Sequence, residues 1–206
     1  MRRSVLVFYF FSLFIAFQVS GQDSSKTILF FGNSLTAGLG LDPVQAFPHL
    51  VGQKIKEHQY DYTVVSSGLS GETSAGGLAR IDWVLRRPVD IFVLELGAND
   101  GLRGLPLSAT RSNLQKIIDK VKTKYPSAKI VIAGMMVPPN IGVDYSQEFV
   151  KLYTELASKN KATLIPFLLD GVAGNIALNL PDGIHPNAEG QKIVAENVWK
   201  AIKPIL

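Results

Sequence analysis

The stretch Thr27-Ile28-Leu29-Phe30-Phe31, which leads directly into Gly32, is a short apolar run in which polar and apolar residues do not alternate. This pattern is typical of a strand buried on both faces of a parallel sheet, because a strand with one face in water alternates. Four further runs of strand length are rich in Ile, Val, Phe or Leu: residues 62–66, 91–96, 129–134 and 163–167. The sequence therefore predicts five buried strands, the first over residues 27–31.

The segments between these runs have the periodicity of amphipathic helices. The apolar residues that share one helical face are Leu114, Ile117, Ile118, Val121 and Tyr125 in one segment, and Phe149, Val150, Tyr153, Leu156 and Ala157 in the next. A last helix is predicted over residues 188–202. Because strand and helix alternate five times, we expect a three-layer α/β/α domain with helices on both faces of a five-stranded parallel sheet. This architecture suggests a flavodoxin-like strand order.

The composition is that of a folded chain without cysteine. Of the 206 residues, 47% are apolar and 18% are charged, which excludes a wholly disordered protein. The absence of cysteine excludes disulfides, thiolate metal sites and a cysteine nucleophile. No linker, internal repeat or shift in composition follows residue 22, so one domain is expected over residues 22–206.

The N-terminal residues 1–21 have the pattern of a secretory signal. Arg2 and Arg3 precede an apolar run over residues 5–17, and Gly21 provides a small residue for cleavage. Since a membrane span needs roughly 20 apolar residues, this run favours a cleaved signal over an uncleaved anchor. Cleavage leaves 19 basic and 17 acidic residues, a balance that predicts no nucleic-acid partner. We therefore expect an exported protein, periplasmic or secreted, with no stable membrane anchor after cleavage.

Three residues with possible catalytic roles follow the predicted strands, and ligands bind at the carboxyl ends of the strands in such a sheet. Ser34 follows the first strand, Gly71 the second and Asn99 the third. A serine hydroxyl at this edge can attack an ester, while the Gly71 N–H and the Asn99 amide can stabilise the resulting oxyanion. Each residue also has a purely structural interpretation, as a helix cap, a turn glycine and a left-handed asparagine respectively.

His185 has a different setting from the other two histidines. It lies three residues after Asp182 and directly before Pro186. A carboxylate at that spacing can bond to one ring nitrogen and leave the other nitrogen as a base; alternatively, Asp182 caps a turn and His185 bonds locally. His49 and His58 fit ordinary helix positions. Two ligands are too few for a metal hydrolase, and no Gly-rich run has the form of a phosphate-binding loop.

Four short segments lie at the predicted strand ends or before the last helix. They are Gly32-Asn33-Ser34-Leu35-Thr36, Ser70-Gly71-Glu72-Thr73, Gly97-Ala98-Asn99-Asp100 and Asp182-Gly183-Ile184-His185-Pro186. In this order they resemble the four sequence blocks of the GDSL or SGNH hydrolases. Residues 32–41, 97–106 and 184–194 are most similar to the single-domain bacterial arylesterase, thioesterase I and lysophospholipase L1 group of that family.

The resemblance implies an SGNH hydrolase fold and a serine esterase that forms an acyl-enzyme. Its implied substrates are aryl or alkyl esters, lysophospholipids and acyl thioesters. Ser34 would be the nucleophile, His185 the general base and then acid, and Asp182 the residue that orients His185. The Ser34 N–H, the Gly71 N–H and the Asn99 side chain would form the oxyanion hole. No metal or organic cofactor is required, and a monomer is expected.

Position 33 departs from the family pattern, which usually has Asp where this chain has Asn33. The triad acid is supplied by Asp182, so no catalytic residue is lost. Asparagine is nearly isosteric with aspartate and keeps an acceptor, but it removes a charge beside the nucleophile. We therefore expect the substitution to affect the local loop and the pH profile rather than the reaction class.

An acyl-binding surface is predicted from apolar residues that follow the third, fourth and fifth strands. These residues are Leu102, Leu105, Pro106, Val137, Pro138, Ile141, Leu178 and Leu180. They equally fit loops that pack on one another. Two other functions stay open: an O-acetyl esterase acting on extracytoplasmic glycans, and a non-catalytic binding domain. A glycan site favours an aromatic platform, but Trp83 and Trp199 both fall on predicted helices.

Overall fold

The computed structural model describes residues 25–206, so the predicted signal over residues 1–21 lies outside the described residues. Five strands form one parallel sheet in the order β2-β1-β3-β4-β5. The strands are β1 (Lys26–Gly32), β2 (Tyr62–Gly68), β3 (Ile91–Glu95), β4 (Lys129–Ala133) and β5 (Thr163–Ile165). The predicted five-stranded parallel sheet and its flavodoxin-like order are therefore confirmed.

The fifth strand is shorter than the predicted run over residues 163–167. Pro166 follows β5 and has no N–H to donate to a neighbouring strand. The segments that follow β4 and β5 still bond to each other at Gly134, whose N–H donates to the Ile165 carbonyl and whose carbonyl accepts from Leu168 N–H. The third and fourth strands each end one residue before their predicted bounds.

Helices cover both faces of the sheet, as predicted. They are α1 (Ser34–Ala37), α2 (Phe47–Glu57), α3 (Ser74–Val84), α4 (Ala98–Leu102), α5 (Leu107–Lys124), α6 (Val143–Asn160) and α7 (Ala188–Ile202). Short 3-10 turns span Pro43–Gln45, Pro139–Ile141, Ile176–Leu178 and Lys203–Ile205. Helix α2 packs on α7, while α3 packs on α5 and α5 on α6. Successive strand residues point to opposite faces, so Phe30 meets Phe47 of α2 whereas Phe31 faces Gly77 of α3.

The core lies between these two helical layers and the sheet. Every residue of β3 is buried, as are residues 28–32 of β1 and 130–133 of β4, which explains why these strands do not alternate. Among residues 25–206, no helix combines the length and the apolar character needed to cross a membrane.

The position of β1 between β2 and β3 brings three strand ends together. Gly32, the last residue of β1, pairs with Gly68 of β2 on one side and with Glu95 of β3 on the other. The segments that follow these strands therefore leave the sheet at the same edge. The loop before α7 is closed by an antiparallel bridge between Asn179 and Pro186.

Candidate active site

Three of the predicted residues form a continuous chain of hydrogen bonds. His185 Nε2 lies 2.8 Å from Ser34 Oγ, and His185 Nδ1 lies 2.7 Å from Asp182 Oδ2. Ser34 is the first residue of α1, directly after β1, whereas the other two residues lie in the loop before α7. This arrangement leaves Nε2 as a base towards the serine when Nδ1 donates its proton to the carboxylate.

Asp182 is held by its own backbone turn. Its Oδ1 accepts hydrogen bonds from the N–H groups of Ile184 at 2.9 Å and His185 at 3.0 Å. Gly183 has a φ of 70°, a left-handed conformation that glycine adopts without strain. The His185 and Ile184 N–H groups, followed by the His185 side chain, lower the pKa of Asp182 from 3.8 to about 2. The carboxylate is therefore ionised at neutral pH, and its partial exposure to water also favours the charged form.

A buried carboxyl group holds the loop that carries Ser34. Glu95, at the end of β3, accepts hydrogen bonds from Asn33 N–H at 3.1 Å, Thr36 N–H at 3.2 Å and Thr36 Oγ1 at 2.8 Å. A Cβ atom at Gly32 would overlap both Thr36 Oγ1 and Glu95 Oε2, so this close approach requires glycine. Burial raises the pKa of Glu95 from 4.5 to about 7, even though the donors from Thr36 and Asn33 oppose the shift.

The amide of Asn33 completes this arrangement. Its Nδ2 donates to Glu95 Oε1 at 2.8 Å, while its Oδ1 accepts from Leu35 N–H at 2.9 Å and caps α1. An aspartate here would place two carboxyl groups at hydrogen-bond distance, and they would have to share a proton. The amide of Asn33 already carries N–H groups, so it donates to Glu95 without the extra proton that a second carboxyl group would need. The asparagine that replaces the family's usual aspartate is therefore matched to the neighbouring Glu95, to which it donates a hydrogen bond.

Sequence reasoning missed Glu95, although a signal was present. It is the one acidic residue in the otherwise apolar run over residues 91–96. A charged residue in a strand buried on both faces needs partners, because an unpaired buried charge is costly. The partners lie on a different strand and loop, so the sequence did not identify them.

The three candidate oxyanion donors lie around the same strand ends. Asn99 Nδ2 donates to the Glu72 carbonyl at 3.0 Å and keeps a second N–H available. Gly71 has a φ of 78°, and a Cβ added there would meet no atom within 4 Å. Within residues 25–206, neither the Ser34 N–H nor the Gly71 N–H donates to a backbone carbonyl. These groups are thus open to an external acceptor.

A cavity of about 540 Å³ opens beside Ser34, Asn99 and His185. Three of the predicted acyl-binding residues line it: Leu102, Val137 and Pro138. Lining residues that were not predicted to bind an acyl group include Leu35, Met135, Met136, Phe167, Leu169, Ala173 and Ile184. Met135 and Met136 come shortly after β4, beyond Gly134, so their place after a strand was the available signal.

The other five predicted acyl-binding residues, Leu105, Pro106, Ile141, Leu178 and Leu180, do not line this cavity. Pro106 is the residue directly before α5, and the neighbouring Leu105 carbonyl accepts from the Tyr145 hydroxyl. Ile141 and Leu178 pack against the core from two 3-10 turns, and Leu180 packs near Gly40. These five residues follow the strands in sequence but do not line the cavity beside Ser34.

The remaining histidines and tryptophans lie away from the cavity. His49 is exposed on α2, and His58 Nδ1 lies 2.9 Å from the Lys54 carbonyl at the end of that helix. Trp83 is exposed on α3, whereas Trp199 on α7 is buried with its ring centroid 5.0 Å from that of His58. Neither tryptophan lines the cavity beside Ser34.

We expect Glu95→Gln to remove a pH dependence of stability. Between pH 4.5 and about 7 the folded chain keeps a proton on Glu95 that the unfolded chain releases. The free energy of unfolding should therefore fall as pH rises through this window, by up to about 1.4 kcal/mol per pH unit. Urea unfolding at a series of pH values should show this slope in the wild type and in the surface control Glu155→Gln. Parallel wild-type and Glu95→Gln profiles would contradict the assignment.

Comparison with known proteins identifies the family. Residues 30–193 match the GDSL-like Lipase/Acylhydrolase family. Esterase TesA of Pseudomonas aeruginosa is 40% identical, with 90% of this chain and 92% of the relative covered. A crystal structure of TesA superposes with a TM-score of 0.83 at 40% identity over 88% of this chain and 100% of that one.

Two further relatives have the same coverage of their own length. Arylesterase of Vibrio mimicus is 38% identical over 90% of this chain and 92% of the relative. Thioesterase 1/protease 1/lysophospholipase L1 of Escherichia coli K12 is 33% identical over 96% of this chain and 92% of the relative. The chain therefore belongs to the GDSL-like lipase/acylhydrolase family and is an ester hydrolase of that family.

Proposed function

We propose that the chain is an exported serine esterase that cleaves carboxylic esters through a Ser34–His185–Asp182 triad. The observation that carries this proposal is the pair of hydrogen bonds, 2.8 Å and 2.7 Å long, that joins the three side chains. The relatives named esterase, arylesterase and thioesterase/lysophospholipase support a range that includes aryl and alkyl esters, lysophospholipids and acyl thioesters.

The proposed reaction is a two-step acyl transfer. His185 Nε2 accepts the hydroxyl proton of Ser34 as Oγ attacks the ester carbonyl carbon, and the carbonyl oxygen becomes an oxyanion. The Nε2 proton then passes to the leaving alcohol or thiol as its bond to the acyl carbon breaks. His185 next removes a proton from water, which attacks the acyl-enzyme, and the same proton returns to Ser34 Oγ as the acid leaves.

Charge stabilisation is assigned to separate groups. The low pKa of Asp182 keeps it ionised, so it stabilises the imidazolium formed when His185 takes the proton. The Ser34 N–H, the Gly71 N–H and the free N–H of the Asn99 amide are proposed to bind the oxyanion. None of these steps needs a metal or an organic cofactor.

The cavity beside Ser34 is proposed to hold the acyl group. Its volume of about 540 Å³ lies within the range of small-molecule sites, and most of its lining side chains are apolar. Leu102, Val137 and Pro138 form part of the wall, together with residues that follow β4 and β5. The aromatic ring of Phe167 lines this cavity, and neither Trp83 nor Trp199 does.

The proposal also covers signal cleavage, export and the oligomeric state of the protein. The basic, apolar and small-residue pattern of residues 1–21 supports cleavage of a signal and export to the periplasm or medium. The mature domain would then comprise residues 22–206. We propose that it acts as a monomer on small-molecule or lipid esters.

Substitution at Ser34 and Asn99 tests the site assignment. We expect Ser34→Ala to abolish turnover of p-nitrophenyl butanoate, because no hydroxyl remains to form the acyl-enzyme. Asn99→Ala should lower kcat by about 10²–10³ with a smaller change in KM, because its amide acts on the oxyanion. The exposed Ser158→Ala variant is the matched control and should keep wild-type turnover. Intact activity in both site variants would contradict the assignment.

A series of p-nitrophenyl esters from acetyl to decanoyl tests the acyl cavity. We expect kcat/KM to rise beyond acetyl, since longer chains bury more apolar surface in the cavity. Ala173→Trp should shorten the preferred chain and lower kcat/KM for octanoyl by about fourfold for each methylene excluded, because one buried methylene is worth about 0.8 kcal/mol. Ala79→Trp, on the exposed face of α3, is the control. A steep wild-type preference for acetyl would argue against an acyl cavity.

A further inference from the structure

Arg80, on α3, binds the residue that follows Gly71. Its Nε donates to Glu72 Oε1 at 2.5 Å and its Nη2 donates to Glu72 Oε2 at 2.6 Å, a two-pronged ion pair. The Glu72 side chain is only 2% exposed. Removing the arginine alone would leave a buried carboxylate without its counter-charge.

The same guanidinium also bonds to the ends of two strands. Its Nη1 donates to Ser67 Oγ at 2.8 Å, and its Nη2 donates to the carbonyl groups of Ser67 at 2.9 Å and Gly32 at 3.2 Å. The guanidinium carbon lies 4.2 Å from the centroid of the Phe31 ring, a distance suited to a cation–π contact. Arg80 therefore connects the ends of β1 and β2 with the loop that contains Gly71.

This loop has little packing of its own at Gly71. The Gly71 Cα faces open space, and its carbonyl accepts one bond from Arg103 Nη2 at 3.1 Å. The next residue, Glu72, is held by Arg80 through its side chain and by Asn99 through its carbonyl. The Glu72 N–H also donates to the Leu69 carbonyl at 3.1 Å, so the position of the Gly71 N–H depends on the bonds that Glu72 makes.

We propose that Arg80 is a positioning residue for the oxyanion hole, which fixes the Gly71 N–H relative to Ser34 and Asn99. The inference rests on the proposed esterase function, because Arg80 is assigned to position a donor of the oxyanion hole proposed there. Donors must lie at hydrogen-bond distance from the oxyanion to be effective, so a loop that moves loses most of their contribution. Arg80 touches neither substrate nor reacting atoms and acts through Glu72, Ser67 and Gly32.

The geometry requires an arginine rather than any cation. The planar fork matches the Glu72 carboxylate and reaches two strand ends at once, whereas a lysine ammonium is a single point charge on a flexible chain. In Arg80→Lys the loop that contains Gly71 should therefore be less well fixed than in the wild type. The double variant Arg80→Ala with Glu72→Gln removes both charges, so a buried lone carboxylate cannot account for its behaviour.

The test compares these two variants with Arg111→Ala, in which the lost arginine pairs with Glu155 on the outer surface of α5 and α6. Two quantities are measured in each: kcat and KM for p-nitrophenyl butanoate, and the amide hydrogen exchange of residues 67–73. We expect kcat to fall about 10²-fold in both Arg80 variants with KM within about threefold, the effect of losing one oxyanion donor. Exchange should accelerate in residues 67–73 but not in β3 or β4, and Arg111→Ala should match the wild type.

Chemical rescue separates a positioning role from general damage to the fold. For this test a third variant, the single substitution Arg80→Ala, keeps Glu72 as a binding partner for added guanidinium. Millimolar guanidinium should raise kcat in Arg80→Ala and leave kcat of the wild type and of Arg111→Ala unchanged. A folded double variant with kcat within about twofold of the wild type would overturn the inference, and so would unchanged exchange in residues 67–73. Failure of the proposed function has a different signature, because Ser34→Ala would then keep the wild-type turnover whatever the exchange of the loop.

Discussion

The hydrogen bond between Ser34 Oγ and His185 Nε2 is the contact on which the site depends, because it joins residues 151 positions apart in the chain. One partner is fixed at the end of β1 and the other in the loop before α7. A 2.8 Å contact between such distant segments requires both ends to be rigid. Asp182 fixes the loop through its turn, and Glu95 fixes the strand end through Asn33 and Thr36.

Two carboxyl groups support this contact in opposite environments. Asp182 is partly exposed and accepts backbone N–H bonds, so its pKa is about 2 and its charge is permanent at neutral pH. Glu95 is fully buried, so its pKa rises to about 7 in spite of its donors. In the proposed mechanism the first stabilises a positive charge on His185, whereas the second holds the loop that carries Ser34. Asn33 suits the second environment because it donates without bringing another acidic proton.

The sequence predicted the sheet well because buried parallel strands leave a pattern that depends on burial alone. It also singled out Ser34, Asp182 and His185, each in a short local motif, and the structure brings these side chains within hydrogen-bond distance. It did not reveal Glu95 or Arg80, whose partners come from other strands and loops. The lining of the cavity beside Ser34 was only partly predicted: Leu102 and Val137 line it, but Leu180 lies near Gly40. Side-chain direction in irregular loops is set by tertiary packing, which local patterns do not encode.

The most direct test of the proposed triad is the site at which an electrophile becomes covalently attached. The mature protein is treated with a fluorophosphonate, and the modified peptide is identified by mass spectrometry. A single adduct on Ser34 is predicted, formed at a rate that falls by orders of magnitude in His185→Ala because the base is lost. An adduct on another residue, or no adduct on a folded protein, would contradict the assignment of Ser34 as the nucleophile.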